Sequence, residues 1–460
     1  MEISGKRLSI LPKDEIEKLF GLPKFTHEDR LVYFSLNQAE KEVAYSHRSL
    51  RARVNFVLQL GYFKAKNMFF VFDFHMVKED AQHILIQYFP EDDEIPEDDV
   101  PKRTRISIQK RILDLLGYRL CDQSIKATLQ TKAGQLVQVC TKPIYIFKEL
   151  VNYLESQQIV LPGYTFLQED IIGNALTNER SRLESAISEK ITPEIEEILK
   201  DLLKADNDLY ALTILKKEPK DFSYKEMSLE INKCITVKPV FTFACQFLTD
   251  LEISNENIKY YASLVDYYTT YKLSRMSPGI VYVYLLCFVH NRYQRIKDNL
   301  INCLISHVRK YSDNAKQFAR DQVYAQKVEG NENLSKVSKV LDLFVDQTIS
   351  DDISFGEVKK QAFGILPKNK IPFMCRYISK TKFDETGYAW DHHRKFAKAI
   401  KKNLRPVFMN IDFASHIAED PLIKGVNFLK EAFRQRKSLS QFDIQDFPQD
   451  LIPTKLKRYI

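Results

Sequence analysis

Glycine is scarce in this chain, 13 of 460 residues, which argues against phosphate-cradling glycine-rich loops and against a turn-dense all-β fold. No apolar run approaches the roughly 18 residues that a membrane span needs, and the first residues show no apolar signal core. The expectation is a cytoplasmic protein with no membrane segment. The seven cysteines stand apart, at 121, 140, 234, 245, 287, 303 and 375. None forms a C-x-x-C pair or has a histidine at zinc spacing, so they point away from a metal centre and suit a reducing compartment. Tryptophan occurs once, against 30 phenylalanines and 23 tyrosines, so the cores must lean on those two aromatics. Internal repeats and low-complexity runs are missing as well.

Catalytic signatures are equally thin. H-E-x-x-H, G-x-S-x-G and the phosphate-loop motif do not occur. Asp92-Asp93, Asp98-Asp99 and Asp351-Asp352 lie in loop-like stretches, whereas a two-metal nuclease needs its carboxylates held rigidly about the ions. His392 and His393 are adjacent, so on a helix they point about 100° apart and cannot share a metal. The residues therefore read as a protein that binds and does not catalyse, with no catalytic residues, metal or cofactor of its own.

What the chain does have is unevenly placed charge. The net charge is +7, although Glu91–Asp99 carries seven acids. Between Pro101 and Lys132 stand eight cations, Lys102, Arg103, Arg105, Lys110, Arg111, Arg119, Lys126 and Lys132, against Asp114 and Asp122. Such clustering is the footprint of a polyanion binder, and an idle basic surface has the same composition.

The periodicity is helical nearly throughout, which gives a mostly α, multi-domain protein. Thr26–Asp29 and Ser35–Gln38 both read as capping boxes. The second opens a helix to about Gly61, with Val43, Leu50, Val54, Val57 and Leu58 facing in and His47, Arg48, Arg51 and Arg53 facing out. A short helix, a turn and an arginine-bearing helix make a helix-turn-helix outline. The acidic stretch with Pro96 and Pro101 reads as a linker. Two helices around Gly117-Tyr118-Arg119 follow, then a boundary near Leu161–Tyr164. Breaks are expected at Glu329-Gly330-Asn331, at Pro367–Pro372 and at Arg405-Pro406. Asn67–Phe74 and Leu136–Cys140 are the best strand signals, and buried helix or loop would also suit them. The resulting division is 1–90, a helical DNA-binding module; 91–101, the acidic linker; 102–164, a second basic DNA-binding module; 165–310, a helical scaffold; and 311–460, a further helical region.

Tyr282–Lys310 reads as one long helix, with an apolar stripe at Tyr282, Leu285, Val289, Tyr293, Ile296, Leu300 and Cys303, ending at His307/Val308. Beside it runs a row of Arg292, Arg295, Asn299, Asn302, Ser306 and Arg309. That row suits a phosphate-contacting edge and equally a solvated face with internal ion pairs.

Several strings in order carry a resemblance: Leu8–Pro12 (LSILP), Arg48–Leu60 (RSLRARVNFVLQL), Leu161–Tyr164 (LPGY), Tyr284–Asn299 (YLLCFVHNRYQRIKDN), Leu404–Pro406 and Pro421–Lys430 (PLIKGVNFLK). Together they resemble the N-terminal half of replicative transposases of the Tn3 family, over essentially the whole chain. Arg48–Leu60 resembles the N-terminal domain of unknown function that accompanies them. The resemblance implies recognition of the transposon's terminal inverted repeats on double-stranded DNA, with helical middle domains for dimerisation, and so implies that 311–460 is a dimerisation or linker region. It also implies a nucleoid-associated bacterial protein. In the family a DDE carboxylate set with magnesium cuts and joins DNA. The chain stops at Ile460, about where that half should begin, so nuclease and strand-transfer activity are not carried over and magnesium would belong to the absent half. The DNA-contacting residues expected are Arg48, Arg51, Arg53, Lys102, Arg103, Arg105, Lys110, Arg111, Arg119, Lys126, Arg292 and Arg295. The partners expected are the repeats together with a second copy or a catalytic transposase half. The alternative is a helical assembly protein, or a repressor-like fragment, that does not itself recognise DNA specifically.

Overall fold

Helix dominates the computed structural model, which describes residues 8–91, 100–206, 209–379, 382–418 and 420–436, with 441, 447, 448 and 451 besides. The exception among them is a two-residue antiparallel pair, Ala205–Asp206 (β1) with Leu209–Tyr210 (β2). The chain divides into two units, Met1–Ile214 with Val240–Asn291 and Leu215–Pro239 with Arg292–Ile460. The acidic linker lies, from Asp92 to Asp99, outside the described residues.

The first unit begins with α1 (Lys13–Phe20), α2 (His27–Tyr33), α3 (Gln38–Tyr45), α4 (Leu50–Lys66), α5 (Lys78–Tyr88) and α6 (Lys102–Leu116). Thr26 caps α2 in a reciprocal box with Asp29. The second box belongs to Asn37 and Glu40, two residues beyond the expected Ser35. The helix expected from there to Gly61 is broken at Ser46–Ser49, where Ser49 caps a new one. α4 is the centre of the first core: Ala52 and every residue from Val54 to Phe63 are buried. Around it pack α2, α3, α5 and α6. Gly61 permits the closest approach, since a Cβ there would lie 2.4 Å from Cδ1 of the fully buried Phe34. Burial demands partners for polar groups, and the Asp80 carboxylate supplies two of them: Tyr62 Oη donates to it at 2.6 Å, and Arg30 Nε donates to it at 2.6 Å.

Three expectations change here. α6 supplies Ile108, Ile112 and Leu113 to this same core, so the first and second sequence modules share one interior. Asn67–Phe74 has a strand's alternation, with Phe70, Phe72 and Phe74 buried and Val71 exposed, yet it pairs with no strand among the described residues. The Gln59 amide donates to Phe70 O instead, at 2.6 Å. Leu136–Cys140 is the end of a helix.

That helix is α7 (Gln123–Val139), followed by α8 (Pro143–Ser156), a π-helical segment Phe166–Gly173 and, directly continuous, α9 (Asn174–Lys190). Gly117, at φ +73°, ends α6 in the left-handed conformation that glycine adopts without strain. These elements enclose a second core of Leu129, Ile146, Leu150, Leu167 and Ile171. The chain's start crosses to it: Tyr164 Oη accepts from the amides of Ile10 and Leu11, both at 3.2 Å, and the Gln168 amide donates to Leu8 O. Leu161–Tyr164 is thus part of a core rather than a domain boundary, and it clasps the Leu8–Pro12 string.

The unit is completed by α10 (Pro193–Leu203), α11 (Ala211–Lys216), the later part of α12 (Tyr224–Asp250), α13 (Asn255–Tyr267), α14 (Thr270–Ser274) and the start of α15 (Pro278–Asp342). The last carbonyls of α7 lack helical partners. Asn257 serves them, donating to Val137 O at 2.8 Å and Gln138 O at 3.1 Å.

The second unit holds the earlier part of α12, the rest of α15, α16 (Phe355–Ile365), α17 (Ile371–Ser379), α18 (Glu385–Asn410) and α19 (Pro421–Gln435). α15 runs 65 residues, through the break expected at Gly330. That glycine makes room: a Cβ would lie 2.3 Å from the Tyr377 ring. α18 likewise continues through Pro406 for a further turn.

Candidate nucleic-acid interface

The basic residues of the first unit gather where α6 lies beside the turn between α3 and α4. Arg111 Nη1 donates to Ser46 Oγ at 2.6 Å, tying the two together. Arg53 Nε donates to His47 O at 2.8 Å. Arg48 is exposed and Arg51 half-buried. The His47 imidazole lies among these charges. Burial, then Arg111 and Arg53, hold its pKa below the ordinary histidine value.

Along α6, the stripe of Ile108, Ile112 and Leu113 faces the core and leaves Lys102, Arg103, Lys110 and Arg111 exposed, with Arg105 half-buried. Lys102, Arg103, Arg105, Lys110 and Arg111 make no ion pair among the described residues. The first turn of α6 contains no acid, and its N-cap Pro101 offers no side-chain cap. Cations there oppose the helix dipole, which disfavours each by about 0.3–1 kcal/mol. This surface is not arranged for stability.

Arg119 is exposed, with its backbone pinned by Arg119 N donating to Gln158 O and Val160 N donating to Arg119 O, both at 2.9 Å. Lys126, on α7, is half-buried with Nζ 5.3 Å from the Phe166 ring centroid. The structure thus joins the two arginine-bearing stretches on one unit.

Two expectations need correction. α4 would be the reading helix of a helix-turn-helix, but a helix buried all round cannot enter a DNA groove. Only its two ends, Leu50–Arg53 with Arg51 and Arg53 and the last three residues from Lys64 to Lys66, reach the surface. Arg292, in the second unit, is 4% exposed. Its guanidinium ion pairs with Glu218 and donates to Lys217 O at 2.6 Å. Asn299 donates to Glu218 and Glu230, both at 3.0 Å, and Lys233 reaches Glu230 at 2.5 Å. Burial would raise the Glu218 pKa, but Asn299 and Arg292 outweigh it and hold the carboxyl low. The start of the row beside the apolar stripe is therefore an internal polar network. Arg295 remains exposed.

Sequence reasoning also missed a polar groove of about 720 Å³ between α7 and α9, lined by Gln130, Gln135, Gln138, Asn174, Asn178 and Arg182. Arg182 is bidentate to Glu179, at 2.8 Å for both bonds. A run of amides on one helix face was the available signal. No group of three or more potential metal ligands occurs among the described residues. No described helix is long and apolar enough to cross a membrane.

The described residues define a mostly α-helical protein whose first unit bears a cationic surface, in which Lys102, Arg103, Arg105, Lys110 and Arg111 of α6 make no ion pair. Residues 10–173 match the family described as Domain of unknown function (DUF4158), a domain found in Tn3-family transposases. The match runs from the Leu8–Pro12 string before α1 to Gly173, the last residue of the π-helical segment, and so takes in the first core and nearly all of the second. No curated protein matches the chain.

Proposed function

We propose that the first unit binds double-stranded DNA as the end-recognising part of a Tn3-type transposition system. Arg48, Arg53, Lys102, Arg103, Arg105, Lys110 and Arg111 grip phosphates or reach base edges, and Arg119 and Lys126 extend that surface. The observation that carries this reading is the run of cations without ion pairs on α6, Lys102 and Arg103 set against the dipole of their own helix, in a domain found in Tn3-family transposases. Strand cleavage and its magnesium belong to another polypeptide or domain in this reading.

The test is selection from a random duplex pool followed by titration against salt. Enrichment of one repeat-like motif is expected. Replacing Lys102, Arg103, Lys110 and Arg111 by Gln should flatten the log–log salt slope by about 0.9 for each phosphate no longer neutralised. Equal, weak binding to every duplex would overturn the claim of sequence recognition.

One observation favours assembly as a second role. Leu334, Leu341, Phe344 and Val345 are exposed at and just beyond the end of α15, at spacings of seven, three and one. Such a stripe suits a helix partner. Sedimentation as a dimer, abolished in Leu341→Glu, would support it, and a monomer at every concentration would refute it.

A further inference from the structure

The second unit carries a cationic surface of its own. On α18, Arg394, Lys395, Lys398, Lys401, Lys402 and Arg405 are all exposed, and no acid occurs on the helix after Asp391. Positions 394, 398, 401 and 405 follow helical spacing, and 395 and 402 flank them, so the six form one stripe about 16 Å long. Arg394 lies 3.7 Å from Asp391, and Arg405 donates to Phe433 O. Lys398, Lys401 and Lys402 have no partner among the described residues.

The opposite face is fixed. Gln326 donates to Tyr388 Oη at 2.5 Å, the Phe318 and His392 rings lie 5.3 Å apart, and Asn403 donates to Tyr311 Oη at 2.7 Å. These interactions set α18 antiparallel along α15, with Val407 fully buried. The stripe therefore has a fixed direction, and rotation of the helix cannot relieve its self-repulsion.

An ordinary solvated helix face intersperses both signs, because like charges three and four residues apart repel. α19 does so, with Glu431 beside Arg434. α18 does not. It has few groups to read base edges and many to neutralise phosphates.

We infer that this stripe is a second, sequence-independent DNA-backbone contact, separate from the surface on α6. Over 16 Å of axis, B-DNA presents on the order of ten phosphate charges, enough to engage all six cations. The inference does not depend on the reading of the first unit.

The experiment uses the full chain with Lys398→Gln, Lys401→Gln and Lys402→Gln, beside the same three changed to Arg. Binding to a selected duplex and to a random duplex is titrated from low to high salt, with circular-dichroism melts as the folding control. The salt slope of the Gln variant should fall by up to about 2.7, at 0.9 for each phosphate no longer neutralised. It should weaken both duplexes by the same factor, and the Arg variant should retain binding. An unchanged slope in a folded Gln variant overturns the inference. So does loss of binding to vesicles of mixed phosphatidylserine and phosphatidylcholine with DNA affinity intact, which would assign the stripe to a lipid surface. Failure of the α6 variants to alter DNA binding would instead count against the first unit's role and leave this test standing.

Discussion

Replacing Glu230 by Ala separates a structural role for the row on α15 from a DNA-contacting one. Glu230 is 1% exposed and accepts from Lys233 at 2.5 Å and Asn299 at 3.0 Å. Its removal leaves the Lys233 ammonium, 10% exposed, with the Lys217 carbonyl and no acid. Breaking a buried ion pair from one side costs about 3–5 kcal/mol, and the low exposure of both partners puts this variant in that range. Arg292→Met should cost less. Glu218, left behind, is 52% exposed and returns to water, so about 1.5–3 kcal/mol is expected, the range for a hydrogen bond to a charged group. The assay is urea unfolding of the full chain, paired with a DNA titration on each folded variant. Glu230→Ala should unfold at the lower urea concentration, and Arg292→Met should leave the salt slope unchanged. An Arg292→Met protein of native stability whose slope falls by about one would refute the reasoning. It would return Arg292 to the DNA-contacting set.

Three further outcomes are expected. Gly61→Ala should destabilise the first unit by about 1–3 kcal/mol, the usual cost of overpacking, because the Phe34 ring it meets is fully buried; Phe34→Leu in the same chain should recover part of that in thermal melts. Lys102→Gln with Arg103→Gln should raise the melting temperature, by the dipole repulsion of about 0.3–1 kcal/mol each that it removes, while weakening DNA binding; a fall in both would deny the trade-off. His47 and His83 both have folded pKa values below the ordinary one, the second through burial, then His27 and Arg30. Their contribution to stability is therefore present above about pH 6.5, the unfolded value, and is lost as pH falls through the folded values. Melts between pH 7 and pH 5 should show the loss, and His47→Gln with His83→Gln should reduce it. DNA bound at the α3–α4 corner should also raise the His47 pKa, seen in its imidazole proton shifts.

Much of the helical architecture was legible because the period of apolar residues is a local property. Gly117 announced the end of α6, and Val54, Val57 and Leu58 announced the inner face of α4. What local pattern could not show was how many sides of a helix are covered. α4 carries Arg51 and Arg53 on its first turn and reads as amphipathic there, yet from Val54 to Phe63 it is buried among four other helices. Gly330 and Pro406 read as breaks because their cost is local, whereas the compensation is tertiary: the Tyr377 ring at one and the packing of Val407 beside the other. Leu8–Pro12 and Leu161–Tyr164 lie about 150 residues apart in sequence, and nothing in either string foretold that Tyr164 would hold the other.

The two cationic rows show where charge reading must turn to partners. On α15, Arg292 and Asn299 at helical spacing drew attention as an edge for phosphate. On α18, a denser row drew no such attention. Periodicity treats them alike, since each lies beside an apolar stripe. The difference is supplied by the neighbours. Arg292 and Asn299 face Glu218 and Glu230, so their charge and polarity are consumed within the unit. The neighbours of α18 meet its other face, through Tyr311, Phe318 and Gln326, and leave the lysines no acid. Long cationic side chains cost little to expose and much to bury unpaired. A row that meets acids on the next helix is therefore a strut, and a row that meets none is available to a polyanion. By that criterion the rows left without acids, and so the ones to test against DNA, are α6 with its adjoining corner in the first unit and α18 in the second.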